Sequence, residues 1–192
     1  MNRHSRCCRP LLFCLVAAIF VVPATMGMTH LERLSQQGPS GDLSVVGEIT
    51  VNGTSAISGA TVFSDSTVTT AKGSSAVVSL GKLGRVEVLP ESTMKLSFTD
   101  SSIKVSMLDA GRVRVSSSSG VAATATTRDG EVNAKGSRLN EFTVDTSCGD
   151  TFVSVKKGSV ALRAGDTVKQ IAAGSQDTAG TARPGCTRDG RR

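Results

Sequence analysis

From Leu43 onward the chain alternates apolar and polar residues in short runs. Turn signals separate the runs. In RVEV, Val86 and Val88 share one face while Arg85 and Glu87 take the other. TMKLSF turns Met94, Leu96 and Phe98 inward, SIKVSM turns Ile103, Val105 and Met107 inward, and RVRV buries Val113 and Val115 beneath Arg112 and Arg114. A period of two is the signature of strands with one face on a core and one in water. SAVVSL, at residues 75–80, is apolar enough to be buried on both faces. The stretch GEITVNGTSAISGATVFSDSTVTT, residues 47–70, follows the same grammar, with Asn52-Gly53 as a tight turn signal. Runs recur every 8 to 12 residues or so, the spacing of an all-β sandwich or barrel. The pattern predicts an all-β domain of about a dozen short strands, a β-sandwich or roll, with a β-solenoid as the alternative. Certain phrases repeat without a fixed period: AKGS at 71–74 and 134–137, KKGS at 156–159, and GRV at 84–86 and 111–113.

Ahead of the strands the pattern is different. A basic stretch, MNRHSRCCRP, precedes the apolar run LLFCLVAAIFVV at residues 11–22. Val22-Pro23-Ala24 fits a small-residue cleavage site, so residues 1–24 read as a secretory signal peptide cut at Ala24. The alternative is an uncleaved inner-membrane anchor, an export helix at the short end of what spans a bilayer. Either way the Lys/Arg excess stays inside and the domain faces outward, periplasmic or extracellular. Residues 25–42 read as a linker with one or two helical turns in THLERLSQQ. The domain proper is placed at 43–177 and a basic C-terminal tail at 178–192, the tail read as a solvated end.

Composition narrows the chemistry. There is no Trp or Tyr, and only Phe63, Phe98, Phe142 and Phe152 lie beyond the apolar run, so the core must come from Val, Leu, Ile, Ala and Met. The net charge of +6 is carried by the ends: +3 from Arg3, Arg6 and Arg9, and +3 from the last ten residues. Residues 10–182 sum to zero. A neutral domain without stacking aromatics lacks what nucleic-acid binding requires. Its only histidines, His4 and His30, precede the strands, which excludes Ser-His-Asp and Cys-His catalysis in the domain. No catalytic, cofactor or metal residues are assigned. GKL at 81–83 is no P-loop. Glu87 alternates with valines on a solvated face and makes no catalytic pair with Glu91. The aspartates at turns suit their own backbone hydrogen bonds better than calcium. Cys7, Cys8 and Cys14 belong to the export segment, leaving Cys148 and Cys186 as either a disulfide or two free thiols.

The order of the phrases resembles the FecR domain, an extracytoplasmic module named after the ferric-citrate regulator. The similarity runs through VVGEITVNGTSAISGATVFSDSTVTTAKGSSAVVSL, GRVEVLPESTMKL, VSMLDAGRVRV, EVNAKGSRLNEFTV and DTFVSVKKGSVAL, residues 45 to about 177. RLNE lies between Gly136 and Phe142, where that family is tighter, as a bulge or altered loop would require. The resemblance implies a non-catalytic envelope protein, a binding or scaffold module whose partner is an envelope protein or wall polymer. The alternative it implies is an extracytoplasmic sensor or accessory in sigma-factor-linked signalling. The ten or so residues before the apolar run are too few for a sigma-binding domain. Membrane contact is expected only through the N-terminal segment, if uncleaved.

Overall fold

The computed structural model describes residues 39–188, so the signal segment, Ala24 and the linker helix expected from the sequence lie outside the described residues. The fold is all-β: two sheets, I and II, with no closed barrel and no helix beyond a single 3-10 turn among the described residues. β1 (Ser40–Val46) opens sheet I. β2 (Ile49–Val51) and β3 (Thr54–Ser55) lie in sheet II, β4 (Thr61–Phe63) in sheet I and β5 (Ser66–Thr70) in sheet II. β6 (Ser75–Ser79) and β7 (Gly84–Val88), joined by the 3-10 turn Gly81–Leu83, return to sheet I. β8 (Ser92–Thr99) and β9 (Ser102–Met107) follow in sheet II, then β10 (Arg112–Ser117) alone in sheet I. β11 (Ala122–Thr126) and β12 (Glu131–Ala134) belong to sheet II, β13 (Asn140–Asp145) and β14 (Thr151–Lys157) to sheet I. β15 (Ser159–Ala164) and β16 (Thr167–Ala172) complete sheet II, and β17 (Gln176–Ala179) ends sheet I.

The strand orders are β17-β14-β13-β10-β7-β6-β1-β4 and β16-β15-β12-β11-β9-β8-β5-β2-β3. From β5 onward both advance in one direction as the chain swings between sheets. The molecule is thus a sandwich in section and a coil in connectivity, which merges the two expected alternatives. An excursion of two strands brings the chain back to the end it left, so the next neighbour is antiparallel. β10 is a one-strand excursion. It delivers β11 to the opposite end, and β9 and β11 are parallel. The other strand pairs are antiparallel.

The repeated phrases mark the corners. AKGS at 71–74 carries the chain from β5 to β6, AKGS at 134–137 from β12 to β13, and KKGS from β14 to β15. Each is a change of sheet. At Gly158 the backbone has φ 79°, and a Cβ would lie 2.2 Å from Asn140 Oδ1, so only glycine fits. The same asparagine, fully buried, donates from Nδ2 to Lys135 O (3.0 Å) and Arg138 O (2.8 Å) and accepts from Ser159 N (3.2 Å). Its polar groups are satisfied by tying two corners together.

The core between the sheets follows the alternation. Val86, Val88, Met94, Leu96, Val113 and Val144 are completely buried. Valines of this size suit facing sheets about 10 Å apart, and each contributes about 1.5–3 kcal/mol on burial. Two phenylalanines, Phe98 and Phe142, join them. Two details differ from the sequence reading. SAVVSL is not buried on both faces: Ala76 and Val78 point inward, while Val77 is half-buried on the outside. Met107 is only half-buried, at the strand end.

Candidate functional site

The outer face of sheet I carries the densest chemistry. The alternation that buries valines necessarily aims Arg85, Glu87, Arg112 and Arg114 outward. Register then arranges them in rows. Ser79, Arg85, Ser116, Glu141 and Lys157 stand opposite one another across β6, β7, β10, β13 and β14. One step along, Val77, Glu87, Arg114, Thr143 and Ser154 form a second row. A third holds Arg112, Asp145, Phe152 and Thr178.

Within these rows the carboxylates are held by cations. Arg114 Nη1 donates to Glu87 Oε2 at 2.6 Å, and Arg112 Nε to Asp145 Oδ2 at 3.0 Å. Asp145 also accepts from Ser147 N (2.9 Å) and Ser147 Oγ (2.5 Å), which fixes the loop after β13. At Glu141 the register between β13 and β14 shifts by a residue. The bulge brings two successive lysines to one carboxylate: Lys156 Nζ at 3.1 Å and Lys157 Nζ at 3.8 Å. Burial pushes the Glu141 carboxyl up. The Lys156 hydrogen bond, the charges of Lys156 and Lys157, and the charge of Arg114 outweigh it and hold the group below its ordinary value. The bulge falls where RLNE widens the spacing to Phe142.

Beside the first row lies a groove of about 360 Å³, walled by Gly81, Gly84, Ser117, Ser118 and Leu139. Gly84, at φ 129°, cannot carry a side chain, because a Cβ would sit 2.0 Å from Ser116 O. Ser117 is buried and its Oγ has no hydrogen-bond partner among the described residues.

The third row ends in a stapled corner. The structure joins Cys148 to Cys186, with Cα atoms 5.6 Å apart. Cys148 is buried and Cys186 exposed. Around the bridge Arg183 N donates to Cys148 O (2.9 Å) and Arg183 Nη2 to Ser147 O (2.6 Å). Arg188 pairs with the buried Asp150 and lies over the Phe152 ring, 4.8 Å from its centroid. The tail is therefore tethered through Arg183, Cys186 and Arg188, while residues 181–187 stay exposed. The sequence located the cysteines but not the Arg188, Asp150 and Phe152 cluster, which is assembled only by folding. Glu91 sits in the turn after β7 with φ 55°, and Glu87 is taken by Arg114. Among the described residues no three His, Cys, Asp or Glu side chains gather as metal ligands would.

A family model, Toastrack DUF4097, matches residues 20–168, more than half of the chain. The chain belongs to the DUF4097 Toastrack family. The resemblance to the FecR domain is thereby corrected. Its phrases recur because coiling between two sheets demands short alternating strands and glycine corners, a grammar that the Toastrack fold shares. No curated protein matches the sequence. Two crystal structures of a "putative anti-sigma factor" from Parabacteroides distasonis ATCC 8503, at 2.50 Å and 1.65 Å, are similar to it. Each is 21% identical, covers 58% of this chain and 53% of the other, and superposes with a TM-score of 0.49. The Toastrack chain thus spans about half the length of that protein.

Proposed function

We propose that this Toastrack chain is a non-catalytic binding or scaffold module working outside the cytoplasmic membrane, with an envelope protein or wall polymer as partner. The outer face of sheet I carries the reading. Its carboxylates are neutralised in place by Arg112, Arg114, Lys156 and Lys157. A face of paired charges in register is a surface for recognition, and it sets no nucleophile beside a base. The Cys148–Cys186 bridge supports an oxidising compartment. The apolar run at 11–22 supports export.

The test is crosslinking in intact cells, purification of the tagged protein and identification of what accompanies it, with thiols trapped by alkylation at lysis. An oxidised bridge together with envelope protein or wall fragments supports the reading. A reduced protein in the cytoplasm overturns it. Recovery of a membrane regulator and its sigma factor would replace scaffold by sensor.

A further inference from the structure

We propose that the groove at the end of the first row binds a carboxylate-bearing, polyhydroxylated ligand, an acidic sugar unit of an envelope glycan. The proposal deepens the binding-module reading and rests on it. Three observations converge. Arg85 is exposed at the groove, and no hydrogen bond or ion pair engages its side chain among the described residues. The other charges nearby are spent: Glu141 already faces Lys156 and Lys157. The groove therefore presents one available guanidinium, whose planar fork matches a carboxylate.

Secondly, the walls are hydroxyls. Ser79, Ser116 and Ser118 line the groove. Thirdly, Gly81 and Gly84 keep the floor bare, and Leu139, 49% exposed, offers an apolar patch to the C–H face of a sugar ring. A volume of about 360 Å³ is in the range of small-ligand sites.

The experiment is calorimetric titration of the purified full chain with tetragalacturonate, in physiological salt of about 0.15 M so that diffuse charge is screened. Neutral maltotetraose and tetraglutamate are titrated alongside. Binding of tetragalacturonate at least tenfold tighter than either is expected. Arg85→Ala, at an exposed position, should lose at least tenfold, and Arg85→Lys should recover only part. Arg163→Ala, on the outer face of sheet II, should change nothing. The proposal is overturned if tetragalacturonate does not bind, if tetraglutamate binds equally well, or if Arg85→Ala is without effect. Crosslinking of Arg85→Ala in cells separates the two readings. Retained capture of the envelope partner without uronate binding would leave the module reading standing and remove the groove from it.

Discussion

The two outer faces of this molecule obey the same alternation and hold their polar residues differently. On sheet I, Arg112 and Arg114 are locked to cross-strand carboxylates that are buried or partly buried, and the buried Glu141 is held by two exposed lysines. On sheet II the rows read Thr67, Lys95, Ser106, Thr126, Glu131, Arg163 and Ser97, Lys104, Thr124, Asn133. Hydroxyls and amides dominate there, linked by short local bonds such as Thr124 Oγ1 to Asn133 Oδ1 at 3.0 Å. Its ion pair, Lys95 with Asp65 at 3.2 Å, lies in open solvent. A slip of one residue turns a strand's inner face outward in either sheet. In sheet I it would also set arginines against the wrong neighbours. Charge there reinforces register, whereas sheet II relies on its inner face.

The deepest cuts should ignore this difference. Phe142→Ala on sheet I and Leu162→Ala on sheet II each remove a fully buried side chain and should cost about 2–5 kcal/mol, read from urea midpoints. A large disparity between them would show that the asymmetry extends into the core. Next comes the stapled corner. Replacing Cys148 and Cys186 together with alanine opens a loop closed across 38 positions and should cost about 4 kcal/mol. Reductant should reproduce the loss in the unmodified protein and leave the variant unmoved.

Glu141→Gln sharpens the contrast at the level of charge, with an expected loss of about 1 kcal/mol at neutral pH. The carboxyl titrates lower in the folded state than its ordinary 4.5, so its contribution is complete above that pH and disappears as pH falls through the folded value. The stability of Glu141→Gln should accordingly be flatter than that of the unmodified protein below about pH 4.5, and the two curves should converge in acid. Smallest is Thr124→Ala on sheet II, expected within about 0.5 kcal/mol of the unmodified protein. A drop as large as that of Glu141→Gln would erase the proposed difference between the faces.

Much of the fold was legible because period-two burial is local information. Val86, Val88, Leu96 and Val113 announce their orientation from neighbours one residue away. The outward arginines were legible for the same reason. Their partners were not: that Arg114 faces Glu87 and Arg85 faces Ser116 depends on which strands adjoin, and the coil between sheets brings together residues 27 and 31 positions apart. The bulge at Glu141 left only a trace, the widened RLNE spacing. The family was misread because corner glycines such as Gly73 and Gly158 encode a geometry that different families require.

The coil has a mechanical consequence. From β5 onward each strand touches mainly its neighbours along the stack, so cohesion is passed from coil to coil as in a one-dimensional chain of contacts. The bridge closes the last coil onto the β13–β14 loop and blocks fraying from that end. The opposite end terminates in β3 and β4, strands of two and three residues. Unravelling by heat or by pulling should therefore start there and travel toward the staple, and amide exchange should slow in the same order from β4 to β14.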